Sequence, residues 1–146
     1  MFDVGCNVAD LIQAITDAND AEGPDTINLE AGCTYTLTTT NNTTDGPNGL
    51  PSITSEITIN GNGATIERSS GDAFRIFHVA SSGNLTLNNL TITNGDAGGN
   101  HGGGIYNKGT LNISNNTISN NTASEEGGGG ICNTGTLNIS NTTLSG

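Results

Sequence analysis

Apolar residues recur at two spacings along this chain. From Asn7 to Asn19 the spacing is helical: Val8, Leu11, Ile12 and Ile15 fall at i, i+3, i+4 and i+7 and make one stripe. Asn7 stands where an N-cap would, Asp10 follows in the capping-box position, and Asn19 closes the segment. A helix of roughly three to four turns is not stable alone. The stripe over 7–19 must therefore dock onto an apolar surface, and the open end of a stacked sheet structure offers one.

Beyond the helix the spacing is two. Thr26-Ile27-Asn28-Leu29 and Tyr35-Thr36-Leu37-Thr38 alternate as short strands, and 39–52 reads as a polar loop with a DGPNG turn cluster. A repeat then becomes explicit. Gly102-Gly103-Gly104-Ile105-Tyr106-Asn107 matches Gly128-Gly129-Gly130-Ile131-Cys132-Asn133 at an offset of 26, and Gly109–Asn115 matches Gly135–Asn141 at the same offset. Gly83, Leu85, Leu87 and Asn89 lie one offset upstream, while Ile57 and Ile59 match Leu85 and Leu87 at 28, so one turn is two residues longer. Reading the offset of 26 upstream from Ile105 and Ile131 places Val79 and Ile53 in their column.

Each repeat holds three short strands, which at about 3.3 Å per residue make one coil of a triangular helix with coils about 4.8 Å apart. The predicted fold is all-β: a right-handed parallel β-helix (solenoid) of about four to five coils over 26–146, with a capping helix over 7–19, as one domain spanning 1–146. Leu111, Ile113 and Ile118 face inward, and Asn112 and Thr117 outward. The glycine runs 102–104 and 127–130 fill a corner where a Cβ would be strained. Asn89, Asn115 and Asn141 stack at one position and predict an amide ladder that satisfies a buried corner. Asn94 and Asn120 stack likewise. Thr65, Thr91, Thr117 and Thr143 form an outward column, accompanied by Thr93, Ser119 and Ser145 and broken by Glu67.

These residues carry a resemblance. Cys6-x-Val8-x-x-Leu11-Ile12-x-Ala14-Ile15-x-x-Ala18-Asn19, then Asp25–Leu29, Tyr35–Leu37, Ile57–Ile66, Phe74–Val79 and the GGGI-x-N-x-GTL-x-I units resemble bacterial and archaeal right-handed parallel β-helix surface proteins with a CSLREA-type N-terminal module. The repeats are also similar, more loosely, to those of chlamydial polymorphic outer-membrane proteins. The resemblance covers nearly the whole chain. It implies the solenoid fold and a secreted or cell-surface setting, and it implies no catalytic residues.

Composition narrows the function classes. The chain has 146 residues, room for one domain. Only 32% are hydrophobic and there is no Trp, too little for a conventional core and consistent with a thin repetitive one. The formal charge is −11, and Arg68, Arg75 and Lys108 are the only basic residues. Nucleic acid and anionic membrane surfaces are therefore excluded as partners, since both demand a basic surface. No segment approaches the ~20 apolar residues that span a bilayer, so no membrane insertion is expected, and the first ten residues do not read as a signal peptide.

Three cysteines leave the redox compartment open. Cys6 and Cys33 both lie in the non-repetitive N-terminal region, and a disulfide between them would tie the cap to the first coil. Cys132 is left over in register with Tyr106, as a side-chain substitution, a free thiol or an intermolecular bridge. Asp72 and Asp96 are the only candidates a catalytic reading would use, because they lie in turns near Arg68, Arg75, His78 and His101. The spacing of His and Cys gives no zinc site, no calcium loop is present, and no cofactor is expected. The chain stops at Gly146 inside a coil, which fits excision from a longer protein, stacking on another copy, or a frayed last coil. The expected function is a non-enzymatic, secreted or cell-surface structural or adhesive protein, self-associating through its open C-terminal coil. The rival is a polysaccharide-binding or polysaccharide-degrading solenoid, and after it an ice-binding face built on the Thr column.

Overall fold

In the computed structural model, which describes residues 1–125 and 127–146, the alternating segments form twelve strands among the described residues: β1 (Phe2–Val4), β2 (Asp25–Leu29), β3 (Thr34–Leu37), β4 (Glu56–Arg68), β5 (Phe77–Val79), β6 (Asn84–Thr93), β7 (Ile105–Asn107), β8 (Thr110–Ser114), β9 (Thr117–Ser119), β10 (Ile131–Asn133), β11 (Thr136–Ser140) and β12 (Thr143–Ser145). Every strand pair is parallel. The chain is a parallel β-solenoid. One wall runs β1-β2-β4-β6-β8-β11, which sets six turns rather than the four to five expected. The second wall stacks β3, the end of β4, the end of β6, β9 and β12, and the third stacks β5, β7 and β10.

Side chains of equal position in successive turns meet, so the core is a set of aliphatic columns. Ile27, Ile59, Leu87, Ile113 and Ile139 form one, and Tyr35, Ile66, Ile92, Ile118 and Leu144 another. All but the last member of each are buried. Fully burying a side chain of this size contributes about 1.5–3 kcal/mol, which is how a chain so poor in aromatics holds together.

One expected column is different. Ile105 pairs with Phe77, at an offset of 28, and Val79 pairs with Ile53 on one side and Asn107 on the other. Four residues separate Val79 from Asn84, but only two separate Asn107 from Thr110. The extra pair in the turn at Ala80–Gly83 shifts the register on one side of it and not on the other. The core column is thus Phe77, Ile105 and Ile131.

α1 (Val8–Asp20) occupies the place of the remaining strands of the first turn. The Asn7 side chain accepts from the Asp10 backbone N–H at 2.8 Å as an N-cap and donates to the Asp10 carboxylate at 2.6 Å, while the Asn7 backbone N–H goes to the Gly5 carbonyl, so the reciprocal bond of the expected capping box is not made. The docked face is Leu11, Ala14, Ile15 and Ala18, while Val8 and Ile12 are only half-buried. The stripe is therefore rotated toward two alanines, whose small side chains let the helix lie close over β2. Asn19 does not end the helix. It bonds the Ser52 carbonyl and the Thr54 N–H, tying the cap to the second turn. A Cys6–Cys33 disulfide joins the cap to the corner before β3.

Candidate functional site

The corner positions expected to form a ladder do something else. Asn89, Asn115 and Asn141 all have left-handed backbone, with φ of 53°, 56° and 44°, and all are exposed. Asn tolerates this conformation better than other non-Gly residues. The buried amides sit one residue later. Asn116 Oδ1 accepts from the Leu90 N–H at 2.9 Å and its Nδ2 donates to the Leu87 carbonyl at 2.8 Å. Asn121 repeats this with Gly95 and Ile92 at 2.8 and 3.1 Å. Each is a clamp between two turns. A true amide ladder runs along the first wall: Asn28 donates to Asp3, Asn60 to Asn28, Asn88 to Asn60, and Ser114 to Asn88. A shallow groove of about 190 Å³ crosses its upper end, lined by Asn88, Asn112, Ser114, Asn138 and Ser140 among others.

The Thr column stands as expected in Thr65, Thr91, Thr117 and Thr143, and Thr34 extends it to five. Glu67 interrupts the neighbouring column, where its carboxylate accepts from the Thr36 hydroxyl at 2.9 Å.

The titratable residues separate into two groups. In the first, Arg68 donates to the backbone carbonyls of Ser70, Asp72 and Asn94, and stacks over the Phe74 ring. Asp72 thus contributes its carbonyl. The Asp96 carboxylate lies 3.9 Å from the Arg68 guanidinium and accepts from the Gly98 N–H at 2.8 Å, as a turn residue.

The second group lies outside the third wall, beneath loop 39–52. His78, Tyr106 and Cys132 stack in register there, with Ser52 beside His78. His78 is fully buried; its Nε2 is 3.0 Å from Asp45 Oδ2 and its Nδ1 is 2.9 Å from Ser52 Oγ. An ionised carboxylate only accepts, so Nε2 carries the proton and Nδ1 accepts from the Ser52 hydroxyl. Lys108 Nζ reaches the same Asp45 oxygen at 2.9 Å. Arg75, also fully buried, donates to the His101 carbonyl, the Asn48 amide oxygen and the Asp45 carbonyl, and lies over the Tyr106 ring, which His101 also meets. Asp45 itself has φ of 55° and stands beside Gly46 at 105°, so a tight left-handed turn presents its carboxylate to the wall.

The electrostatics follow from this packing. The Lys108 hydrogen bond, with a smaller contribution from His78, holds Asp45 below the usual carboxylate range. Burial pushes His78 down, partly offset by Asp45. Burial also lowers Arg75, and Asp45 raises Lys108. Ser52, His78 and Asp45 have the residue types and the hydrogen-bond order of a nucleophilic triad, here with the imidazole fully buried beneath the loop. The arrangement works as a latch that holds the loop against the solenoid. Asp45 and Ser52 carry no periodic signal, because the loop lies outside the repeat and its only cue is the DGPNG turn; Lys108 lies inside the repeat, opposite Thr134, and nothing in that spacing points it at the loop.

No group of three or more metal-binding side chains occurs among the described residues, and no helix there is long and apolar enough to cross a membrane. Searches with the whole chain return no matching family model, no matching curated protein and no matching solved structure.

At the far end of the stack the columns run out. Leu144 is 51% exposed and Ile139 46% exposed, and Ile131 and Leu137 are half-buried. Leu144, Ile131 and Leu137, with Ile118, Gly130, Asn121 and Asn133 among others, line a hollow of about 430 Å³. The outer edges of β10, β11 and β12 pair with no strand among the described residues.

Proposed function

We propose that this chain is a non-enzymatic structural and adhesive solenoid of the cell exterior, which assembles through its last coil. The observation that carries the reading is the parallel stack itself, in which the edges of β10, β11 and β12 pair with no strand among the described residues and Ile139 and Leu144 beside them are about half exposed. Unprotected strand edges beside apolar side chains are a template for further pairing. The Cys6–Cys33 disulfide supports an oxidising setting, and the resemblance to CSLREA-type surface solenoids agrees with it. Negative-stain electron microscopy of the purified chain over a concentration series tests the assembly. Defined particles larger than one chain are expected; single particles at every concentration would refute it.

A second reading is favoured by the groove on the first wall. Its amides and hydroxyls, in Asn112, Ser114 and Asn138, are spaced by one coil and uncharged, which suits a neutral polysaccharide. Affinity electrophoresis against neutral glycans tests it, with retardation expected to weaken in Asn112→Ala.

A further inference from the structure

Ser52, His78 and Asp45 are brought together by two neighbouring turns and the loop that crosses them. Ile53 pairs with Val79, and the Ile53 N–H donates to the His78 carbonyl at 2.9 Å, so Ser52 stands opposite His78 in fixed register. Ser52 is half-buried and the imidazole behind it is fully buried. The Ser52 hydroxyl donates to Nδ1 at 2.9 Å, and Nε2 donates to Asp45 at 3.0 Å. A hydroxyl whose proton is held by a neutral imidazole, itself oriented by a carboxylate, is the arrangement that makes a serine nucleophilic. The two ring nitrogens exchange places relative to the usual order, and either can serve as the base. We infer that Ser52 is a nucleophile that takes up one acyl group from a neutral ester and keeps it, as a site of covalent attachment on the solenoid.

A latch alone does not account for the Ser52 hydroxyl. Asp45 and Asn48 already hold the loop to His78, Lys108 and Arg75. The segment at Ser52 is tied through its backbone, from the Asn19 amide to the Ser52 carbonyl and from Ile53 to His78. In the reaction, Ser52 Oγ attacks the ester carbonyl carbon as its proton passes to His78 Nδ1. The bond from that carbon to the alcohol oxygen then breaks, and the proton leaves with the alcohol. The products are an acyl ester on Ser52 and a free alcohol, with nothing oxidised or reduced. Asn19 and Asn42 beside Ser52 are uncharged, which suits a neutral acyl donor. Charge developing on the carbonyl oxygen needs N–H donors. The Ser52 N–H makes no hydrogen bond among the described residues, and in the serine template the nucleophile's own N–H is one of two such donors. Those of Ile53 and Thr54 are already given to His78 and Asn19, so acylation is slow. The acylated oxygen then covers the Nδ1 side of a fully buried ring, which keeps water from the base and preserves the ester. Uptake of one group without turnover agrees with a non-enzymatic chain.

Treating the full 146-residue chain with p-nitrophenyl acetate and mapping the acetylated peptides by mass spectrometry tests this. In the folded chain Ser52 is expected to gain an acetyl group at least about tenfold faster than the exposed Ser81. That comparison needs no variant, and the preference should vanish in urea, where the pairing with His78 is lost. The native chain should release about one equivalent of p-nitrophenol more than Ser52→Ala, which removes only a half-buried hydroxyl. His78→Gln, with its fold checked by circular dichroism, should slow Ser52 at least about tenfold, while Ser81→Ala leaves Ser52 unchanged. Acetyl groups confined to Cys132, Lys108 or the amino terminus would overturn the inference. A Ser52 that reacts no faster than Ser81, or reacts undiminished in folded His78→Gln, would overturn it as well. Release through Ser52 that continues past one equivalent would overturn retention of the acyl group, and with it the non-enzymatic reading. Particle size enters none of these readouts, so a chain that stays single by microscopy refutes the assembly reading and not this one.

Discussion

His78 Nε2 and Asp45 Oδ2 are 3.0 Å apart, and they join a buried ring of the solenoid wall to the one long loop that crosses it. The ring is neutral in the folded chain because burial lowers its proton affinity below the ordinary His value of about 6.5. The sign of the pH dependence follows. As pH falls through about 6.5, the unfolded chain takes up this proton before the folded one does. Stability is then lost progressively down to the depressed folded value. Asp45 acts in the same direction at lower pH, because its folded pKa is also depressed and its contribution vanishes as it protonates. Urea unfolding midpoints should therefore drop between pH 7.5 and 5 in the native chain, and drop less in His78→Gln. An identical pH slope in both would show that the latch does not titrate.

The paired asparagines give a second prediction. Asn115 and Asn116 are adjacent and identical in type, yet one is exposed and the other clamps two turns. Asn116→Ala leaves the Leu90 N–H and the Leu87 carbonyl without their partner, at a cost of about 1–3 kcal/mol for an unsatisfied buried group. Asn115→Gly keeps the left-handed backbone and should change stability by no more than about 0.5 kcal/mol. Chemical denaturation of the two variants side by side measures the difference.

What was readable in the sequence and what was not divides on the same physics. A column of like residues at constant offset needs only that equal positions meet, so Thr65, Thr91, Thr117 and Thr143 were legible without coordinates. Which member of an Asn doublet is buried depends on backbone φ, which composition does not carry. Val79 was misplaced in the column of Ile105, which Phe77 occupies, because the longer turn at Ala80–Gly83 shifts the register of β5 against β7 and not that of β6 against β8. Asp45 was missed because a latch from an irregular loop has no periodic signature. Cys6 and Cys33 were legible because both lie in the N-terminal region ahead of the explicit repeat.

Two glycines separate a packing requirement from a flexible position. A Cβ on Gly109 would lie 2.3 Å from the Gly83 carbonyl oxygen and 2.4 Å from that of Ala80, both backbone atoms of the neighbouring turn. Gly109→Ala forces those turns apart and should cost about 1–3 kcal/mol or more. A Cβ on Gly71 meets nothing within 4 Å. Gly71→Ala should instead stabilise the chain by about 0.4–1 kcal/mol, by reducing the freedom of the unfolded state. Opposite shifts in melting temperature are the expected result, and a tolerated alanine at Gly109 would contradict the close contact between turns.

Reduction of Cys6–Cys33 tests how far the cap is separable from the coils. The bridge closes a loop with a sequence separation of 27. By the chain-entropy account such a loop contributes roughly 3–4 kcal/mol. The cap has other ties: Leu11 and Ile15 are buried on the coils, Asn19 bonds the Ser52–Thr54 segment, and the buried Tyr35 hydroxyl donates to the Gly5 carbonyl at 3.1 Å. These do not include the middle turns, where Leu87, Ile92, Ile113 and Ile118 pack against their own columns. The reduced chain is therefore expected to lose hydrogen-exchange protection over 8–20 first, while 84–93 and 110–119 stay protected, in keeping with the near-neighbour energetics of stacked repeats. Simultaneous loss across all three segments would instead make the cap part of a single cooperative unit with the coils.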